Sequence, residues 1–251
     1  MNWTIRAFQV AIIVAIVAAW SAASSIDASI ADVIGSPIAV FKQIVQWVLS
    51  GEVLRNLAIT TLEALTGFAI GVTLGAAVAF LLRFVPLVAW LVDPLIGIVS
   101  VVPRIVLAPI FMVWFGLGIT SKAALVATIV FFIIYFNVEA GLRSVPSVLV
   151  DRFRTIGSGR LGLLWELYLP ACIVWILSGL RISVGFAFLG AVISEYLGAN
   201  VGIGSLIAAG QSLNDPNVVM AGLLILLIVV VPLDRLLAGV EKRASGVARA
   251  T

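Results

Sequence analysis

Long runs without charge constrain this chain more than any other feature. A helix that crosses a bilayer needs about 20 mostly apolar residues, and the sequence supplies such runs repeatedly. Arg6 and Asp27 bracket a charge-free run at 7–26; others lie at 64–82, 105–121, 123–138 and 216–233, and 171–194 is broken only by Arg181. They place spanning helices at 7–25, 57–82, 104–118, 121–142, 171–194 and 217–238, the third of them short. The segment before the third, VPLVAWLVDPLIGIVSVVPR, has prolines at 86, 94 and 103 and is expected to lie along or partly in the interface.

With 63% hydrophobic and 11% charged residues, against about 25% charged in a soluble domain, the chain could not cover a water-facing surface. The expected fold is all-α, a polytopic membrane protein with about six transmembrane helices. One transmembrane domain fills 1–251: a first span and an outer interfacial helix in 1–55, then core helices in 56–240 that enclose a cytoplasmic loop at 143–170. There is no histidine, which removes the commonest general base and metal ligand. Cys172 is the single cysteine, so neither an internal disulfide nor a thiolate cluster can form; it reads as a small packing residue. No GxxxxGK[ST] phosphate loop occurs, and no feature points to nucleic acid.

The basic residues set the orientation. With the N-terminus inside, the inner segments hold Arg6, Arg83, Arg104, Arg143, Arg152, Arg154, Arg160, Arg235, Lys242, Arg243 and Arg249, and the outer ones only Lys42, Arg55 and Lys122. Eleven against three is a positive-inside bias, so both termini and the 143–170 loop are expected in the cytoplasm. The run 7–26 could be read as a signal peptide cleaved near AWSAASS, but it exceeds the usual apolar core of about 7–15 residues and is expected to stay as a true span.

Smaller patterns refine this layout. Ile38, Phe41, Ile44, Val45 and Val48 share one helical face, with Lys42, Gln43 and Gln46 opposite, the pattern of a helix lying on the outer interface. Gly67, Gly71, Gly75 and Ala79 form a stripe of small residues that admits a close neighbouring helix. Asp215 before Pro216 reads as an N-cap with proline at the first helical position. Gly198, Gly202 and Gly204 suit a tight outer turn or a partial re-entry. Glu63 lies near the outer end of span two and needs a polar partner. Glu195 is either a solvated helix end or part of a gate or docking surface. Arg181, about 16 Å along a helix from Pro170, either draws an anionic cargo or pairs with an acid or carbonyl.

The loop DRFRTIGSGRLGLLWELYLP at 151–170 interrupts the apolar chain with three arginines, two acids and three glycines. PSVLVDRFRTI can form a helix, Gly157 and Gly159 break it, and a second helix starts before Pro170, with Leu161, Leu164, Trp165 and Tyr168 on one face. A solvated loop would also satisfy the charge rule. Its spacing, however, resembles the EAA signature of permease subunits in binding-protein-dependent ABC importers. Asp151-Arg152-Phe153 stands at the Glu-Ala-Ala positions, Gly157 at the signature glycine and Leu167-Tyr168-Leu169-Pro170 at its end. Aspartate, arginine and phenylalanine depart from that triplet. VPRIVLAPIFMVWFGLGITSK (102–122), GLRISVGFAF (179–188) and ISEYLGANVGIGSLI (193–207) resemble the branch that imports sulfonates, taurine, nitrate or bicarbonate, whose relatives carry vitamin precursors.

This resemblance implies a type I permease fold, a homodimer of permeases, two ATPase subunits that hold ATP and Mg²⁺, an extracytoplasmic substrate-binding protein, and residence among the lipids of a bacterial inner membrane. The chain itself would then hold no cofactor, no metal and no catalytic residue. Residues 151–161 would be the coupling helix, with Asp151, Arg152, Phe153, Arg154, Thr155, Ile156, Gly157, Ser158, Arg160 and Leu161 as its working surface. Phe153 or Ile156 would act as the apolar anchor and Arg154 and Arg160 as charged contacts. Arg181, Glu195 and Met112 are the candidates for the translocation path or gate. A secondary transporter would usually show repeated halves and broken helices with ion ligands. A membrane enzyme would need a cluster of His, Asp or Cys that this sequence lacks.

Overall fold

The computed structural model describes residues 3–26 and 28–248; Asp27 and Arg249, both used above, lie outside them. The described chain is helical almost throughout and has no strand. Its helices are α1 (Trp3–Ile26), α2 (Ala28–Ile34), α3 (Pro37–Leu49), α4 (Glu52–Phe84), α5 (Pro86–Val101), α6 (Ala108–Phe115), α7 (Ile119–Arg143), α8 (Ser147–Thr155), α9 (Arg160–Gly162), α10 (Leu169–Gly198), α11 (Ile203–Ser212) and α12 (Pro216–Ala248).

Helices α4, α7 and α10 form the centre, and the stripe of small residues explains why. A methyl group added at Gly67 would come within 2.6 Å of the Ala123 carbonyl, at Gly71 within 2.7 Å of the Ala127 carbonyl, and at Gly75 within 2.6 Å of the Phe131 carbonyl. Glycine therefore brings the α4 backbone directly against α7, where dispersion replaces the hydrophobic effect as the force between helices. Val126, Val130, Ile134 and Val138 fill the seam and are fully buried. The N-cap at Asp215 is present: its carboxylate accepts from the Asn217 amide at 2.9 Å.

Five helices are long and apolar enough to cross a bilayer, and the bent pair of α5 and α6 passes the same test only when its two arms are taken together, as a broken span or a re-entrant loop. The third expected span is therefore corrected. Residues 104–118 are not one straight span: α5 meets the arm made of a 3₁₀ turn at Arg104–Leu107 and α6 at an angle of 89°. Prolines at 103 and 109 remove two amides at this point, and α6, with eight residues, is about 12 Å long and cannot cross alone. The fold also moves Arg104 away from the inner segments: its guanidinium lies 4.5 Å over the ring of Phe132, near the middle of α7. Lys122, counted as an outer loop charge, is buried inside the first turn of α7.

The apolar face read in α3 points outward, and the one read after α9 changes register. In α3 the buried residues are Val40 and Trp47, while Ile38, Phe41, Val45 and Val48 are exposed; one apolar side docks on the bundle and the other is left for lipid. After α9, residues Leu163–Tyr168 form a π turn, in which the Leu169 amide donates to the Leu164 carbonyl. Pro170 has no amide to continue the α ladder, and the wider turn rotates the helix. Leu163, Leu167 and Tyr168 are buried in consequence, and Leu161 and Trp165 are exposed. Helix α1 stands apart: its apolar side chains are exposed, and a bond from Trp20 Nε1 to the Gly35 carbonyl at 3.1 Å helps tether it.

Candidate coupling loop and buried polar cluster

The loop between α7 and α10 is built around a short helix with a defined stop. Helix α8 ends at Thr155, and Gly157 takes φ +88°. The Ser158 amide bonds back to the Phe153 carbonyl and the Gly157 amide to the Arg154 carbonyl, both at 3.0 Å. This is a Schellman cap, which satisfies the last carbonyls of the helix and needs a left-handed residue after it. The helix is therefore 147–155 followed by a turn, not a continuous 151–161, because Gly157 and Gly159 end the hydrogen-bond ladder. A methyl group at Gly157 would meet nothing within 4 Å. The constraint there is backbone conformation rather than space.

Helix α8 presents two separate faces. Val148, Arg152, Thr155 and Ile156 edge an open groove of about 480 Å³, with Ile156 77% exposed. Ser147, Val150, Arg154, Ser158 and Arg160 line a second cleft of about 590 Å³ beneath Arg83 and Tyr168, and Asp151 borders both. Phe153 turns inward to pack against the core, which leaves Ile156 as the exposed apolar side chain of the two. Gly157 and Leu161 are exposed, and Leu161 lines neither space.

Glu195, Met112 and Arg181 fall in different places. Glu195 is fully buried, so the solvated helix end is corrected. Its carboxylate accepts from the Thr60 hydroxyl and from the Gly204 amide, both at 2.6 Å. Met112 is half-buried against Gly198, where an added methyl would sit 3.1 Å from its sulfur. Arg181 lies fourteen residues before Glu195, about 21 Å along α10, and reaches Asp234 at 3.1 Å and Glu241 at 3.3 Å on α12. It is an ion-paired link between two helices.

Around Glu195 the fold assembles a polar cluster that the sequence scatters. Lys122 Nζ meets Glu63 Oε1 at 2.8 Å with both side chains buried, so Glu63 has the partner it needed. The Glu63 and Glu195 carboxyls face each other, and Glu63 Oε2 has no hydrogen-bond partner. The Ile203 amide donates to Thr60 Oγ1 at 2.9 Å and the Gly202 amide to Asn56 Oδ1 at 2.7 Å. The first amides of α11 are thus held by α4 and α10, which also supply negative charge where a helix N-terminus favours it. Gly202, at φ +108°, must be glycine because a side chain would overlap the Glu195 carboxylate. Separations of 59 and 135 residues across its ties from α4 to α7 and α10 hid this cluster; the available signal was three ionisable residues near span ends.

Residues 71–246 match the family described as binding-protein-dependent transport system inner membrane component. The chain belongs to this family. The permease is 31% identical over 214 residues to an aliphatic sulfonates transport permease protein of Bacillus subtilis, covering 85% of this chain and 78% of that one. It is 38% identical over 138 residues to a formylaminopyrimidine transport permease protein of Halalkalibacterium halodurans, covering 55% of each. Its fold resembles a chain of the MetNI methionine ABC transporter in an inward-facing conformation, with a TM-score of 0.61, 20% identity, and 80% of this chain and 97% of that chain covered. The permease is accordingly a multi-pass inner-membrane transport subunit of an ABC importer and not an enzyme.

Proposed function

We propose that two copies of the permease form a path through the membrane for a small anion, of the sulfonate, taurine, nitrate or bicarbonate kind. A substrate-binding protein delivers the cargo on the side of α3 and α11. Two ATPase subunits, which hold the ATP and Mg²⁺, dock on the loop between α7 and α10. The observation that carries this reading is α8: a short, capped helix seated on the bundle through Val150 and Phe153, ending in a defined turn with an exposed Ile156 near Arg152. A pore without a nucleotide site needs such a rigid element to receive motion from a soluble motor, because packed interfaces switch between discrete arrangements. The sulfonate relative aligns over more of its own length than the formylaminopyrimidine relative, which favours an anion; the higher identity to the latter keeps a vitamin precursor as the second reading.

The test is uptake by proteoliposomes containing the permease, its ATPase and its binding protein. ATP-dependent import of labelled taurine, an alkanesulfonate, nitrate or bicarbonate is the expected result, and import of a pyrimidine alone would establish the second reading. Orientation is tested separately. With the basic loops in the cytoplasm, a cysteine at Ser158 is shielded from an impermeant thiol reagent in intact cells, and one at Ser50 is labelled. Labelling at Ser158 before lysis would reverse the topology.

A further inference from the structure

The structure treats Lys122, Arg181 and Arg104 differently. Lys122 meets Glu63, Arg181 meets Asp234 and Glu241, and Arg104 meets no carboxylate among the described residues. Its Nη2 donates to the Ser100 carbonyl at 2.6 Å, its guanidinium rests 4.5 Å over Phe132, and its enclosed Nε has no partner. The carbonyl contact caps the end of α5, but it uses one N–H of five. Phe132 stands near the middle of α7, so Arg104 sits at mid-height of that apolar helix, beside the break of the bent pair α5 and α6. An ionisable group at that depth normally faces a wet cavity or the bundle interior and has a function, and a broken backbone there is tolerated only where protein or water lines it. Val101, Val102 and Ile105 beside it are exposed, so this chain alone does not cover that face.

We propose that Arg104 is the cargo-contacting cation of the translocation path, receiving the oxyanion of a sulfonate, nitrate or bicarbonate. The proposal rests on the anion-importer reading above. An anion moving through a low-dielectric path loses water and needs a counter-charge, and the planar guanidinium fork matches an oxyanion with two parallel bonds. The face of Phe132 holds the cation in place without neutralising it. A single arginine also binds weakly enough to let the anion leave, which conduction requires.

The experiment uses the reconstituted permease–ATPase complex with its binding protein. Wild-type uptake of taurine, an alkanesulfonate, nitrate and bicarbonate is measured first; failure to import any of them overturns the cargo reading, and this proposal with it, before a substitution is made. Arg104→Gln is expected to lower uptake of the imported anion at least about tenfold, the loss of one charge-assisted contact, while the complex still assembles and hydrolyses ATP. Arg104→Cys should react with methanethiosulfonate reagents in the assembled transporter, since the native thiol of Cys172 is fully buried. Adding an aminoethyl group should restore part of the uptake, and adding a sulfonatoethyl group should not. Wild-type uptake by Arg104→Gln, an Arg104→Cys thiol unreactive with and without ATP, or equal recovery with both reagents would overturn the assignment.

Discussion

Gly157→Val is expected to leave the permease inserted and dimeric but to lower uptake at least about tenfold, which corresponds to about 1.4 kcal/mol lost at the coupling step. At φ +88° an L-residue pays about 1–2 kcal/mol, and a β-branched one is a true outlier there. The valine chain can escape only by giving up the bonds from Gly157 and Ser158 back to Arg154 and Phe153, which frays α8 and moves Ile156, the exposed anchor. The open space around Gly157 means that no packing in the membrane is disturbed, so the defect should stay local. Gly157→Asn is the control, because asparagine visits the left-handed region routinely, and it should keep most activity. Co-purification with the ATPase and uptake are measured together. Wild-type uptake with normal ATPase retention in the valine variant would remove α8 from the coupling role.

Lys122→Met is expected to produce the largest loss of stability, about 3–5 kcal/mol. Lys122, Glu63 and Glu195 are all buried, and Lys122 supplies the positive charge in contact with Glu63. Without it two carboxyls face each other in a low-dielectric site, and the clasp on the first amides of α11 depends on one of them. The double variant Lys122→Met with Glu63→Gln removes one charge of each sign and should recover most of the loss. The check is thermal unfolding of the detergent-solubilised protein for both single variants and the double. Additive losses would show that the lysine and the glutamate do not act as a pair.

Much of the architecture was readable because a bilayer narrows the choices. Only helices satisfy backbone polar groups within one segment in lipid, so apolar runs translate directly into spans, and Gly67, Gly71 and Gly75 on one face announce a close contact before its partner is known. Pro216 after Asp215 and Gly157 at the end of α8 were equally legible, since both are local rules of helix ends. Their partners lie within a few residues. The π turn before Pro170 was not, although its cause is local, because a repeat of 3.6 residues cannot foresee one extra residue in a turn; that residue moved burial from Leu161 and Trp165 to Leu163 and Leu167.

Tertiary structure decided the charges. A count of basic residues by loop treats Lys122 and Arg104 as surface groups, because depth along one helix is fixed by the helices packed beside it. The pairing of α4 with α7 buries Lys122 on Glu63, and the bend between α5 and α6 lays Arg104 on Phe132. Glu195 looked like a solvated helix end until α11 folded back to place the Gly204 amide on it. The sequence by itself determined which segments are apolar enough to cross and where the caps at Asp215 and Gly157 fall, since hydrophobicity and capping act over one turn or one span. Which charges meet inside was settled only by helices brought together across 59 and 135 residues, where a buried charge must find a counter-charge or stay expensive.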